Sequence, residues 1–201
     1  PTPGTASGNA SITVAAATYS NSTGVAGGAG TSPAITIDTL APTLVISTND
    51  NALTTGETAV ITFTFSEVPV AFVAGDITTT GGILSNLAVS QSNSKVYTAT
   101  FTPPANTNGH ASITVSAGNY SDAAGNPGGA APSPEIAVDT QAPTLTITTS
   151  DSDLITGETA VITFTFSEVP VGFVIGDIST AGGQLSNLQV SGSDDKVYTA
   201  T

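Results

Sequence analysis

The sequence predicts an all-β protein made of tandem antiparallel two-sheet sandwiches, one about every 101 residues. Three observations support this: a long exact period, short strands with one apolar face each, and a composition that favours strands and turns. The period is the strongest. DTLAPTL at Asp38 recurs as DTQAPTL at Asp139, and 47 of the 63 positions from 38 to 100 are identical to their counterparts in 139–201. GETAVITFTFSEVPV returns letter for letter, from Gly56 and again from Gly157. ASITVAAATYSNSTG from Ala10 matches ASITVSAGNYSDAAG from Ala111 in the same register. A fixed long period marks an array of structural units rather than one large domain.

The phase of the repeat divides the chain. Residues 1–37 read as the C-terminal part of one repeat, 38–138 as a complete repeat and 139–201 as the N-terminal part of a third. Thr201 corresponds to Thr100 and Pro1 to Thr102, so joining the two ends restores a repeat short of one residue, the counterpart of Phe101. That phase fits a segment of a longer polymer. It also fits a subunit whose partial domains are completed by neighbouring molecules.

Within the complete repeat, seven strands are expected in order, near 43–47, 58–66, 70–73, 84–90, 95–102, 111–117 and 134–138. The second alternates cleanly, with Ile61, Phe63 and Phe65 on one side and Thr62 and Thr64 on the other. Tyr97, Ala99 and Phe101 alternate likewise, as do Ile113 with Val115 and Ile136 with Val138. Side chains two apart share a face of a strand, so each segment offers one apolar face to a core. Turn chemistry separates the strands: TTGE, the pair Gly81–Gly82, SNSK, PPANTNG and AGNPGG. Short, evenly spaced strands over about 100 residues describe a sandwich. The Phe and Tyr residues are expected in its core.

Composition narrows the function. The chain has 201 residues, 39% hydrophobic, with 21 Gly and 12 Pro and no Cys, Met or Trp. Fifteen acidic groups face two cations, Lys95 and Lys196, for a formal net charge of −13. Such a surface repels phosphate backbones and anionic lipid, so no nucleic-acid partner is expected. No stretch approaches the ~20 apolar residues of a membrane span, so no membrane insertion is expected. Without Cys, any staple comes from metal or from packing.

At DTxAPTL, GETAVITFTFSE, GDI, LSNL, KVYTATFTP and NYSDAAGN the chain resembles the bacterial Ig-like repeats of giant secreted adhesins, the Bap-like and RTX-adhesin extender domains. The resemblance covers the whole chain. It implies an immunoglobulin-like fold, head-to-tail stacking on neighbouring repeats or identical chains, and a secreted or cell-surface location on a bacterium. It also implies a passive role in an adhesin stalk or fibre, with any surface ligand bound by a domain not in this chain. The alternative is a subunit of a self-assembling extracellular filament, in which neighbouring chains complete each other's sandwiches by strand addition.

In many relatives calcium stiffens the junctions between repeats, and the acids of this chain supply candidates. In an immunoglobulin-like topology, the start of the first strand, the B–C loop and the F–G loop gather at one pole. Asp38, Glu67 and Asp122 are therefore expected together. The A–B loop at the other pole carries Asp50 and Glu57, with Asp151 and Glu158 as their counterparts. Stacking would set Asp139 and Glu168 near Asp50 or Glu57 of the preceding repeat. Calcium takes six to eight oxygens at about 2.3–2.6 Å, which carboxylates and loop carbonyls provide. No Lys lies nearby in sequence to offset such a cluster. Asp76 and Asp177, in GDI, are further candidates. The first copy departs from the pattern, with Asn21 at the place of Asp122 and Val25 at that of Asn126. A site using that loop would lose a charge.

Catalysis is not expected. The sole histidine, His110, sits in a turn segment, and its counterpart is Asn9. Zinc sites of the usual type need more His or Cys than the chain has. The pairs Asp194–Asp195 and Asp151/Asp153 would suit a glycosidase, but the middle repeat has Asn93–Ser94 and Asp50/Ala52 there.

Overall fold

A computed structural model describes residues 2–5, 7–132 and 134–201. They fall into two compact units, Pro1–Thr140 and Gln141–Thr201. Among the described residues, strands are joined by loops and two single-turn 3-10 helices, as an all-β chain requires.

The first unit opens with β1 (Gly8–Ala10), β2 (Thr13–Val14), β3 (Gly30–Thr31) and β4 (Ile35–Ile37). β1 pairs with β4 and β2 with β3, both antiparallel. The sandwich follows: β5 (Leu44–Thr48), β6 (Ala52–Thr54), β7 (Ala59–Phe65), β8 (Ile77–Thr80), β9 (Ile83–Val89), β10 (Val96–Thr102), β11 (Asn108–Val115) and β12 (Ile136–Asp139). One sheet has the order β5-β7-β10-β9 and the other β6-β12-β11-β8. This is the two-sheet immunoglobulin arrangement, in which the first strand's continuation switches sheets.

Alternation builds the core. In β7, Ala59, Ile61, Phe63 and Phe65 are buried while Val60 and Thr64 are exposed. Ala99 and Phe101 of β10, and Ala111, Ile113 and Val115 of β11, close over them with Leu53, Ile136 and Val138. The rings of Phe65, Phe72, Tyr97 and Tyr120 meet edge to face, with centroids 4.9–6.5 Å apart. That geometry sets the positive edge of one ring against the negative face of the next.

Three elements differ from the sequence expectation: the run 70–73, β6 and β8. No strand runs over 70–73: Val70 makes one isolated bridge to Ser121, and Ala71 takes a left-handed φ of 58°. The chain then turns through Ala74–Asp76 and extends at β8, where it meets β11. Short β6 was not expected, because its three residues earn a strand only by parallel pairing with β12, more than 80 residues on.

The link into the complete repeat is tied down on both sides. Thr39 donates its N–H to the Thr5 carbonyl at 2.7 Å and its hydroxyl to that of Thr2 at 2.9 Å. Its neighbour Asp38 lends its carbonyl to the side-chain amide of Asn126 at 3.2 Å. Thr140, the counterpart of Thr39, is bound in the same way to Thr107 (2.8 Å) and Pro104 (2.7 Å).

In the second unit, β13 (Leu145–Thr149), β14 (Ile162–Phe166), β15 (Gln189–Ser191) and β16 (Asp194–Ala200) form one sheet in the order β13-β14-β16-β15. It repeats the sheet β5-β7-β10-β9. The counterparts of β6 and β8 are not strands here. Their partners in the complete repeat, β12 and β11, have no equivalents within 141–201, and a strand without a ladder has nothing to hold it.

Candidate metal centre

Three loops converge at the pole where the chain enters the complete repeat. Asp38 precedes β5, Glu67 follows β7, and Asp122 lies in the long segment between β11 and β12. One carboxylate oxygen from each lies within 4.8 Å of the others. Among the described residues this is the only cluster of three or more potential metal-ligating side chains.

Asp122 is the anchor and is only 2% exposed. Its loop closes when Asp122 N–H donates to the Asn126 carbonyl (3.2 Å) and Gly125 N–H to the Asp122 carbonyl (3.2 Å). Asn126 donates its backbone N–H to Oδ1 at 2.8 Å and its side-chain amide to Oδ2 at 2.7 Å. Burial alone would push the Asp122 carboxyl up, but the donors of Asn126, with the backbone of Ala124 and Gly125, hold it below the usual carboxylate range. The same Asn126 amide reaches the Asp38 carbonyl, so one side chain fixes two walls of the site.

A tight contact positions this loop. Gly128 lies so close to the Tyr120 ring that a Cβ there would sit 2.2 Å from it. The Tyr120 hydroxyl lies 3.3 Å from the Pro42 carbonyl and 3.1 Å from that of Gly129. The first copy repeats the device, with Gly27 against the Tyr19 ring.

Glu67 is partly buried, and its carboxyl is pushed up, first by desolvation and then by the negative charges of Asp122 and Asp38. Lys95 opposes this in part. Its ammonium donates to the Ser66 carbonyl at 2.7 Å, and Lys196 does the same to Ser167 at 3.2 Å. Sequence alone placed no cation near the cluster, because Lys95 lies 29 residues from Ser66 and arrives only when β10 pairs with β7. Asn126 was visible only as a position that differs between copies.

Most of the other candidate acids serve turns. Asp50 Oδ1 accepts the Ala52 N–H (3.0 Å), and Glu57 Oε2 accepts the N–H and hydroxyl of Thr54 (both 2.8 Å). Asp151 and Glu158 accept from Asp153 (2.9 Å) and Ile155 (3.0 Å). Asp76 and Asp177 cap their 3-10 turns through Val73 (2.8 Å) and Val174 (2.9 Å). Asp139 accepts from the side-chain amide of Asn108 at 2.9 Å. Glu168 follows β14 as Glu67 follows β7, and it falls in a different unit from Asp139.

The donor set suits a hard cation. It is all oxygen, and two ligands of one calcium ion lie no more than about 5.2 Å apart at the usual bond lengths. The observed spacing is within that limit.

The model of the bacterial Ig-like domain matches residues 38–138 and again 139–201. The chain belongs to the bacterial Ig-like domain family. No curated protein sequence matches this Ig-like chain significantly. Among solved structures, it is similar to FdeC, an Escherichia coli adhesin, at 12% identity and a TM-score of 0.40, covering 98% of this chain and 75% of that one. The Yersinia pseudotuberculosis adhesin InvE matches at 18% identity and a TM-score of 0.34, over 80% of this chain and 51% of its own. InvD of the same organism matches at 24% and 0.32, over 79% and 48%. The Ig-like chain thus spans about half of each Yersinia chain. No helix among its described residues is long and apolar enough to cross a membrane.

Proposed function

We propose that this chain is an extending segment of a bacterial surface or secreted adhesin, stacked head to tail with further Ig-like repeats and stiffened by calcium at the pole of Asp38, Glu67 and Asp122. Family membership, the tandem period and the resemblance of its motifs to adhesin repeats support the structural role. In that role the chain catalyses nothing, and its histidine, His110, is exposed beside Glu135 at 3.2 Å.

One observation carries the calcium assignment. In the first copy Asn21 folds the same loop, accepting from the N–H groups of Thr23 (3.0 Å) and Val25 (2.9 Å), and its own N–H donates to the Val25 carbonyl (3.0 Å). An uncharged side chain therefore suffices for the turn. The Asp122 carboxylate adds a buried negative charge that the loop does not need, set beside two more. Bound there, calcium would supply the positive charge and tie the entering segment to both loops. Asp38, Glu67 and Asp122 would hold it.

The test is thermal unfolding across a calcium titration against a chelator. Stabilisation should grow with calcium, by about 2.7 kcal/mol at a hundredfold excess over the dissociation constant. A melting temperature that ignores calcium removes the metal and leaves the extender role standing.

A further inference from the structure

The sheet β6-β12-β11-β8 carries the histidine of the chain on its outer face. In β11 the side chains of Ala111, Ile113 and Val115 are buried, so the residues alternating with them point away from the core. His110 is one of these, and its partner across the ladder is Ala137 of β12. Glu135 stands just before β12, next to buried Ile136, and it points outward like Ala137. The small side chain of Ala137 lets the imidazole lean towards Glu135, and His110 Nδ1 lies 3.2 Å from Glu135 Oε1. Both side chains are largely exposed, so an ion reaches them without any change in the core. They border a groove of about 320 Å³ whose lining includes Thr80 and Ser112, with hydroxyls 2.8 Å apart.

Three observations separate this pair from an ordinary surface contact. The first is its bite. Zinc holds imidazole nitrogen at about 2.0–2.1 Å and carboxylate oxygen at about 2.0–2.2 Å, in tetrahedral geometry. Two such ligands of one ion lie about 3.3 Å apart, close to the spacing of Nδ1 and Oε1. The second is that the pair is replaced as a unit. The first copy has Asn9 and Ala34 at these positions, and β1 still pairs with β4 in the register of β11 with β12. The fold therefore needs neither side chain. The third is charge. Both lysines are engaged elsewhere, on the carbonyls of Ser66 and Ser167, and a net charge of −13 draws dications to the chain.

We propose that His110 and Glu135 form a metal site of their own, which takes zinc or a similar transition dication through Nδ1 and Oε1, with water in the remaining positions. Imidazole suits such an ion, whereas calcium takes oxygen ligands, so the two kinds of ion sort between this site and the acidic pole. Bound here, the ion pins the end of the segment 116–135 to β11. That is the segment that carries Asp122. The site shares no ligand with the pole and stands whether or not calcium binds there.

A single His and no Cys make the test clean. Zinc chloride is titrated into the full chain at neutral pH with calcium in excess, and the one imidazole is followed by NMR. Its ring signals should move and saturate with zinc, and should not move with calcium alone. His110→Asn and Glu135→Ala copy residues that the first copy carries, and an exposed pair contributes little to stability. Both variants should therefore keep the melting temperature of the parent chain without zinc. In isothermal titration each should lose the binding step that saturates in the parent. Ring signals that ignore zinc overturn the proposal. So does zinc binding that survives His110→Asn, which places the ion on carboxylates elsewhere. An unchanged zinc response in Glu135→Ala overturns it too, because the imidazole then binds alone.

Discussion

Asp122 is a charge that the fold holds ionised. Its depressed pKa stabilises the folded state above the ordinary carboxylate pKa of about 4, and this is lost as pH falls through the folded value. Glu67 has the opposite sign. Its raised pKa helps the fold only below its ordinary value, and that help fades as pH rises through the folded one. At neutral pH without metal, Glu67 is therefore a repulsive neighbour to Asp38 and Asp122. Glu67→Gln is expected to raise the melting temperature in chelator at neutral pH and to lower the response to calcium, so the two melting curves cross over. Asp122→Asn should keep the loop, as Asn21 does, while weakening calcium binding and flattening the loss of stability in acid. Differential scanning calorimetry from neutral pH to below pH 4, with and without calcium, checks both. Asn126→Val copies the first repeat at Val25, and loss of an orienting partner of this kind typically costs about 10–100-fold in metal affinity. Isothermal titration measures it.

At the scale of strands, the two copies of one sequence show what a partner contributes. Leu53 and Leu154 occupy equivalent positions, yet only the first is packed between sheets. Leu53→Ala should cost about 2–5 kcal/mol, as buried Leu truncations do, whereas Leu154→Ala should cost almost nothing in a chain that stops at Thr201. Urea unfolding of the two variants makes the comparison. The same logic explains how far the fold could be read in advance. β7 and β10 were legible because their alternation and aromatic content are local. β6 and β8 were not, because three or four ordinary residues become a strand only through partners 32 or more positions away. The run around Val70 looks extended, but Phe72 is spent on the aromatic cluster, where it meets Phe65 and Tyr97, and a strand there would not turn it inward. The pole of Asp38, Glu67 and Asp122 followed from the order of strands once the topology was known. Lys95 and Asn126 act on it through contacts that no spacing announces.

For the whole chain, a net charge of −13 with two cations is a standing self-repulsion. Monovalent salt screens it, with a Debye length of about 8 Å at physiological ionic strength. A modest rise in melting temperature with sodium chloride is therefore expected even in chelator. Calcium should act at far lower concentration, and that separates site binding from screening in one pair of titrations.

The parallel pairing of β6 with β12 also determines how the complete repeat carries tension. β6 lies near the repeat's entry and β12 at its exit, and the two run side by side in the same direction at Ala52–Ala137, Leu53–Val138 and Thr54–Asp139. A pull on the two ends drags these strands past each other along their length, so the rungs between them are sheared together rather than peeled one after another. With Asp38 tied to one side of the entry and Thr39 to the other, little slack is left for the load to take up first. The repeat is thus built to resist extension at its ends before its core is strained.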